Sequence, residues 1–207
     1  MNAVEINSTF YRLPEKKTLE RWAESTPDDF RFAVKLSRSI THERKLKSAA
    51  AELKKFFAAV KPLGKKMGPV LVQLPPSLKF AAKGATEFFE RLRAVYSGPV
   101  VCEPRNANWF ELIADVLMRD FKVSRVAADP AVTAAAAKPG GWAKTVYFRL
   151  HGSPRKYYSS YSEEYLQALA KQMRQLQKTA AVWCVFDNTA SGAACQNALR
   201  LRELTGS

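Results

Sequence analysis

Val4-Glu5-Ile6-Asn7-Ser8-Thr9-Phe10-Tyr11, at the head of a 207-residue chain, alternates apolar and polar side chains with the two-residue period of a strand. It contains no glycine, whereas an open doubly wound sheet that binds a nucleotide ordinarily follows its first strand with a glycine-rich turn. Working outward, similar short apolar segments recur at 31–36, 70–74, 100–103, 124–128, 145–150 and 182–186, and with 4–10 they make seven strand candidates. Between them, Leu46, Ala50, Leu53, Phe57 and Val60 recur at helical spacing. So do Trp109, Leu112, Ile113, Val116 and Leu117, and later Leu166, Leu169, Met173 and Leu176. Ser162 before Glu163 and Glu164 marks one helix start, Ser191 is positioned to cap the last helix, and Gly206 follows that helix's final leucines.

Strands alternating with helices imply a parallel sheet, because parallel neighbours need a crossover and a helix is the usual one. With the nucleotide turn absent, a closed barrel of the TIM type is the expected α/β architecture, formed by one domain over residues 1–207. The least regular connection is 129–144, where Ala134 to Ala137 precede Pro139-Gly140-Gly141 and can form only a short helix or a loop.

Apolar content of 47% suits a globular core, and no run of apolar residues is long enough to cross a membrane, so a soluble cytoplasmic protein is expected. The three cysteines cannot all pair within the chain, and Cys102 and Cys184 lie in apolar strand segments, which points to reduced structural thiols. A net charge of +14 attracts phosphate groups of any origin. The basic residues form no tract, so weak nucleic-acid binding is the most that charge supports.

Residues two apart on a strand share a face. Glu5, Asn7, Thr9 and Tyr11 therefore form one set, opposed by Val4, Ile6, Ser8 and Phe10. Lys35, Gln73, Glu103 with Arg105, and Arg149 with His151 alternate in the same way with apolar residues that must meet the helices. These polar groups come late in their strands, where barrel enzymes place their chemistry. Burying unpaired ions there costs several kcal/mol each, so each needs a partner, water or a ligand.

Several strings together resemble the YecE-like family of unknown function. They are the 4–11 segment, Lys35, Ile40-Thr41-His42, Gln73-Leu74-Pro75-Pro76, Glu103-Pro104-Arg105, Arg149-Leu150-His151-Gly152 and Phe186-Asp187-Asn188-Thr189-Ala190-Ser191-Gly192. The resemblance covers nearly the whole chain and implies a TIM-type barrel with no settled activity. Members usually open with a glycine-containing strand and a helix before the Glu-Ile-Asn-Ser-Thr-Phe-Tyr string. The expectation is therefore seven of eight strands, the first strand and helix missing, with two open edges through which the chain could form a homodimer.

Glu5, Glu103 and His151 are the candidate catalytic groups. Asn7, Tyr11, Lys35, His42, Gln73, Arg105, Arg149, Asp187 and Asn188 are the candidate substrate-binding groups. The glutamates could form an acid–base pair or could simply neutralise Lys35 and Arg149. Arg149 and His151 combine an anion clamp with a titratable group. His42 could move a proton or cap a helix. Asp129 and Asp187 end their strands, yet their spacing carries no metal signature, and the residues name no cofactor. Tyr157, Tyr158 and Tyr161 beside Arg155 and Lys156 could lie over a sugar or base, or pack as an ordinary loop. The leading expectation is an enzyme acting on a small anionic or phosphorylated, sugar-like substrate. A nucleic-acid-binding protein or nuclease and a non-catalytic partner-binding barrel are the alternatives.

Overall fold

Strands and helices alternate along the chain in the computed structural model, which describes residues 1–206. The order is β1 (Ala3–Ile6), α1 (Lys16–Glu24), β2 (Arg31–Lys35), α2 (Ala50–Val60), β3 (Met67–Gln73), α3 (Ala82–Val95) and β4 (Val100–Glu103). It continues with α4 (Leu112–Asp120), β5 (Val123–Arg125), β6 (Ala127–Asp129), β7 (Gly140–Gly141), β8 (Thr145–Leu150), α5 (Glu163–Leu176), β9 (Ala181–Phe186) and α6 (Ala193–Thr205). The fold is mixed α/β with predominantly parallel sheets. One sheet runs β1-β2-β3-β4-β5-β7 and the other β6-β8-β9.

Two features depart from a single seven-stranded wall. The segment expected at 124–128 divides at Val126 into β5, paired with β4, and β6, paired with β8. The dipeptide Gly140–Gly141 adds the single antiparallel pairing among the described residues, against Ser124 and Arg125. Every pairing among the other strands is parallel. No pairing joins β1 to β9 among the described residues, so the sheets do not close. Val126 nevertheless donates its N–H to Cys102 O at 2.8 Å, tying the break back to β4.

Alternation sorts the strand residues as the two-residue period requires. Phe32, Val34, Val70, Val72, Val100 and Cys102 pack against the helices with Leu19, Leu53, Phe56, Phe88 and Met118, while Phe148 and Leu150 pack with Leu166 and Leu169 of α5. The opposite faces of both sheets meet in one small cluster of Ala33, Leu71, Val101, Val126 and Tyr147, flanked by Trp183 and Val185. Gly68 opens onto this layer. A Cβ there would lie 2.6 Å from Trp183 Cη2, and the indole is held by stacking on Tyr147 at 6.1 Å. Gly68→Ala is accordingly expected to cost about 1–3 kcal/mol through overpacking. Urea unfolding of the variant checks this, and unchanged stability would show that the indole yields freely.

Several local expectations need correction. The first strand stops at Ile6 because Asn7 turns into the αR region, and Ser8–Phe10 forms a 3-10 turn pinned by Thr9 Oγ1 on Ile6 O (2.8 Å) and Lys35 O (2.7 Å). The α2 helix begins after Leu46, and Trp109 lies in a separate turn ahead of α4. Leu112, Ile113 and Val116 are exposed, because α4 turns Ala114 and Met118 to the core instead. Ser162 caps α5 by accepting from Tyr165 N, whereas α6 starts from Gly192, and Ser191 Oγ donates to Tyr158 O at 2.6 Å. Ala134–Ala137 forms a single 3-10 turn.

Candidate functional site

The carboxyl ends of β1, β2, β3, β4 and β8, with the residue after β9, deliver an ionic cluster around Arg149. Its guanidinium bonds Glu5 through Nε (3.1 Å) and Nη2 (2.8 Å), Glu103 through Nη1 (3.0 Å) and Asp187 through Nη2 (3.3 Å). Arg149 is 1% exposed, so three protein carboxylates occupy all three of its nitrogens. Burial opposes its charge, but Glu103 and Glu5 override burial and push its pKa up. Sequence alone leaves this residue either as a clamp for a ligand anion or as the partner of the glutamates. The geometry directs it at the protein's own carboxylates.

Glu103 also accepts from Gln73 Nε2 (3.1 Å), and its other oxygen meets Arg105 Nη2 (2.5 Å) and His151 Nε2 (3.1 Å). Burial pushes the carboxyl up, yet the His151 hydrogen bond and the charges of Arg149 and Arg105 prevail and hold it at about 2. Asp187 is likewise held below its ordinary value, burial being outweighed by the bond to His151 and by Arg149.

His151 sits between these groups, with Nδ1 2.9 Å from Asp187 Oδ2 and Nε2 2.7 Å from Arg105 Nη2. Arginine only donates, so the neutral tautomer carrying hydrogen on Nδ1 satisfies the Asp187 and Arg105 contacts, whereas the hydrogen bond to Glu103 requires hydrogen on Nε2. A proton taken up at Nε2 can be handed to Glu103 Oε1 as a hydrogen bond. The imidazole therefore has a ready partner in either charge state.

Lys35 is 6% exposed, and its ammonium makes no hydrogen bond or ion pair among the described residues. Its Nζ lies 4.2 Å from the centroid of the Phe10 ring. Burial, followed by the charge of Arg149, lowers its pKa to about 8 despite Glu5, Glu103 and Asp187. His42 completes this side. Its Nδ1 is 2.8 Å from Thr41 Oγ1, its ring stands edge-on to Phe10, and burial with the Lys35 charge lowers its pKa. Arg105 keeps a buried Nε without an acceptor.

Thus Glu5, Lys35, Gln73, Glu103, Arg105, Arg149, His151 and Asp187 come together, with His42 at the rim. Asn7 and Tyr11 do not, because the turn after Ile6 leaves both exposed. Asn188 is buried, but its amide holds Ser159 O (2.8 Å) and Asn197 Oδ1 (2.9 Å) and supports a loop. Asp129 accepts from Tyr161 OH at 2.7 Å, and Tyr161 also receives the Gly152 N–H. Gly152 has φ of +92°, and a Cβ there would press on Ser159 O at 3.0 Å. Tyr157 of the basic loop stands edge-on to the His151 ring.

Two members were missed from the sequence. Tyr147 of β8 donates to Glu5 Oε2 of β1 at 2.9 Å; its position two residues before Arg149 was the available signal. Phe10 was assigned to the helix-facing set and reaches Lys35 because of the 3-10 turn.

Fold and site together define an α/β protein with predominantly parallel sheets and a buried carboxylate–arginine–histidine network at the strand ends. The chain belongs to the family described as protein of unknown function DUF72, whose profile matches residues 1–207. It is similar to the UPF0759 protein YecE of Escherichia coli K12, at 38% identity over 74 residues, which is 36% of this chain and only 27% of that relative. Similarity to the UPF0759 protein YunF of Bacillus subtilis is 23% identity over 97% of this chain and 82% of the relative. A DUF72 family protein of Thermotoga maritima superposes with a TM-score of 0.84 at 26% identity, covering all of this chain and 85% of the other. One from Enterococcus faecalis gives 0.83 at 22% identity, covering 90% of that protein and supporting the fold alone. No helix among the described residues is long and apolar enough to cross a membrane.

Proposed function

We propose that this chain is an enzyme acting on a small, polar, anionic substrate, sugar-like or phosphorylated, with His151 as its acid–base group. The observation that carries this reading is a division among the cations. Arg149 is spent on three carboxylates, while Lys35 and the Arg105 Nε–H keep donors that the protein leaves unused. Arg105 Nε–H is a buried donor without an acceptor, which costs free energy that an incoming anion recovers. In this reading Asp187 fixes the His151 tautomer, and Glu103, ionised at neutral pH, orients His151 and Arg105 and does not act as an acid. Arg149 positions the carboxylates, and Gln73 and His42 border the substrate.

The same reading treats the two sheets as arcs of one TIM-type wall with seven of eight positions filled and the open one between β9 and β1. The Val126 link to β4, the apolar cluster shared by both sheets and the Tyr147 and Arg149 bonds to Glu5 support it.

Titration calorimetry with inorganic phosphate tests the assignment. Phosphate should bind, and Arg105→Met should weaken it about tenfold, the worth of a charge-assisted hydrogen bond of about 1.5 kcal/mol. Phosphate binding indifferent to Arg105 would reject the reading.

A further inference from the structure

We propose that Lys35 is a covalent residue, whose amine captures an aldehyde or ketone that also carries an anionic group and holds it as an imine. The inference rests on the acid–base reading of the same pocket and adds a carbonyl to the substrate it describes.

A lysine retained to balance buried carboxylates sits on one of them. Lys35 does not, although Glu5, Glu103 and Asp187 all bear on it electrostatically, because Arg149, Arg105 and His151 already hold those oxygens. The ammonium is left against the Phe10 face at 4.2 Å, with His42 beyond it on the same ring. The residue as a whole is 6% exposed at the carboxyl end of β2, and no hydrogen bond competes for the lone pair of its amine.

The charged form is disfavoured here by burial and by Arg149, which bring the pKa to about 8. At pH 7 about a tenth of the side chain is then free amine, against fewer than about one in a thousand for an ordinary lysine. The neutral amine adds to the carbonyl carbon, forming a C–N bond as the C=O π pair moves to oxygen. Loss of that oxygen as water leaves the iminium. Starting from the ammonium, two of its three protons leave with the oxygen and the net charge is unchanged. His151 can carry protons between nitrogen and oxygen, and the carboxylates of Glu5, Glu103 and Asp187 stabilise the cationic product. Arg105, with its unpaired Nε–H, would hold the anionic group.

The test is reductive trapping of the full chain. Dihydroxyacetone phosphate is added at pH 7.5, the mixture is reduced with sodium borohydride, and the product is read by intact mass and peptide mapping. The expected result is one adduct per chain on Lys35. It should be absent in Lys35→Arg, form at a rate whose half-maximum lies near pH 8, and form about tenfold more slowly with dihydroxyacetone, the same ketone without the anion. Adducts spread over exposed lysines, or a single adduct that persists in Lys35→Arg, would overturn the proposal. Should the variant fail to fold, the label map and pH profile of the unaltered chain still decide. An unlabelled Lys35 alongside Arg105-dependent phosphate binding removes the imine and leaves the acid–base reading standing. A labelled Lys35 with Arg105-independent binding does the reverse.

Discussion

Arg149→Met is expected to lower the free energy of unfolding by about 3–5 kcal/mol, because it strands three buried or half-buried carboxylates that now share one guanidinium. Methionine keeps most of the bulk, so lost packing accounts for little of the change. The loss must also depend on pH in a specific direction. Glu103 has its folded pKa depressed to about 2. Its contribution is therefore fully present above the unfolded carboxylate value and is lost as pH falls toward 2. The gap between the two proteins should thus be widest near neutrality and close as the carboxylates take up protons. Urea unfolding at pH 7 and pH 3 measures both. Arg200, paired with Glu163 on the exposed surface, is the control whose removal should leave the midpoint nearly unchanged. Equal stability of Arg149→Met at pH 7 would mean that water or another cation already satisfies the carboxylates.

Sequence leaves two roles open for Arg149, a clamp for a ligand anion and a partner for the glutamates, and the reason is physical. Strand period and strand-end position place Glu5, Lys35, Gln73, Glu103, Arg149 and His151 on one face, since alternation is a property of the backbone. Which cation each carboxylate would choose was not legible. That choice depends on distances across the sheets, with partners separated in sequence by as many as 144 residues for Arg149 and Glu5. Asn7 and Tyr11 were misplaced for a different reason. Alternation was carried past Ile6, where the Thr9 hydroxyl, bonded to Ile6 O and Lys35 O, winds the chain into a 3-10 turn. The same turn brings Phe10 onto Lys35. The Leu112, Ile113 and Val116 stripe failed because helical spacing marks an apolar face without saying what covers it. The division at Val126 has no counterpart in the sequence, which reads as one strand through both halves.

Lys35→Met is expected to raise stability at pH 7 by about 2 kcal/mol, the full pKa difference being discounted for the residual solvent access of the ammonium. The sign follows from the direction of the shift. The folded pKa, about 8, lies below the ordinary 10.5, so ionised Lys35 opposes folding at all lower pH, and the penalty fades as pH rises between those values. Methionine removes the penalty, so the stability gain should be largest at neutral pH and nearly gone by pH 10.5. Unfolding curves at pH 7 and pH 10 check it. A residue kept at such a cost serves something other than the fold, whereas a lysine of the structural network would show the opposite result. If Lys35→Met is less stable than the parent chain at pH 7, Lys35 is satisfied where it stands, and both the free donor in the pocket and its nucleophilic role lose their basis.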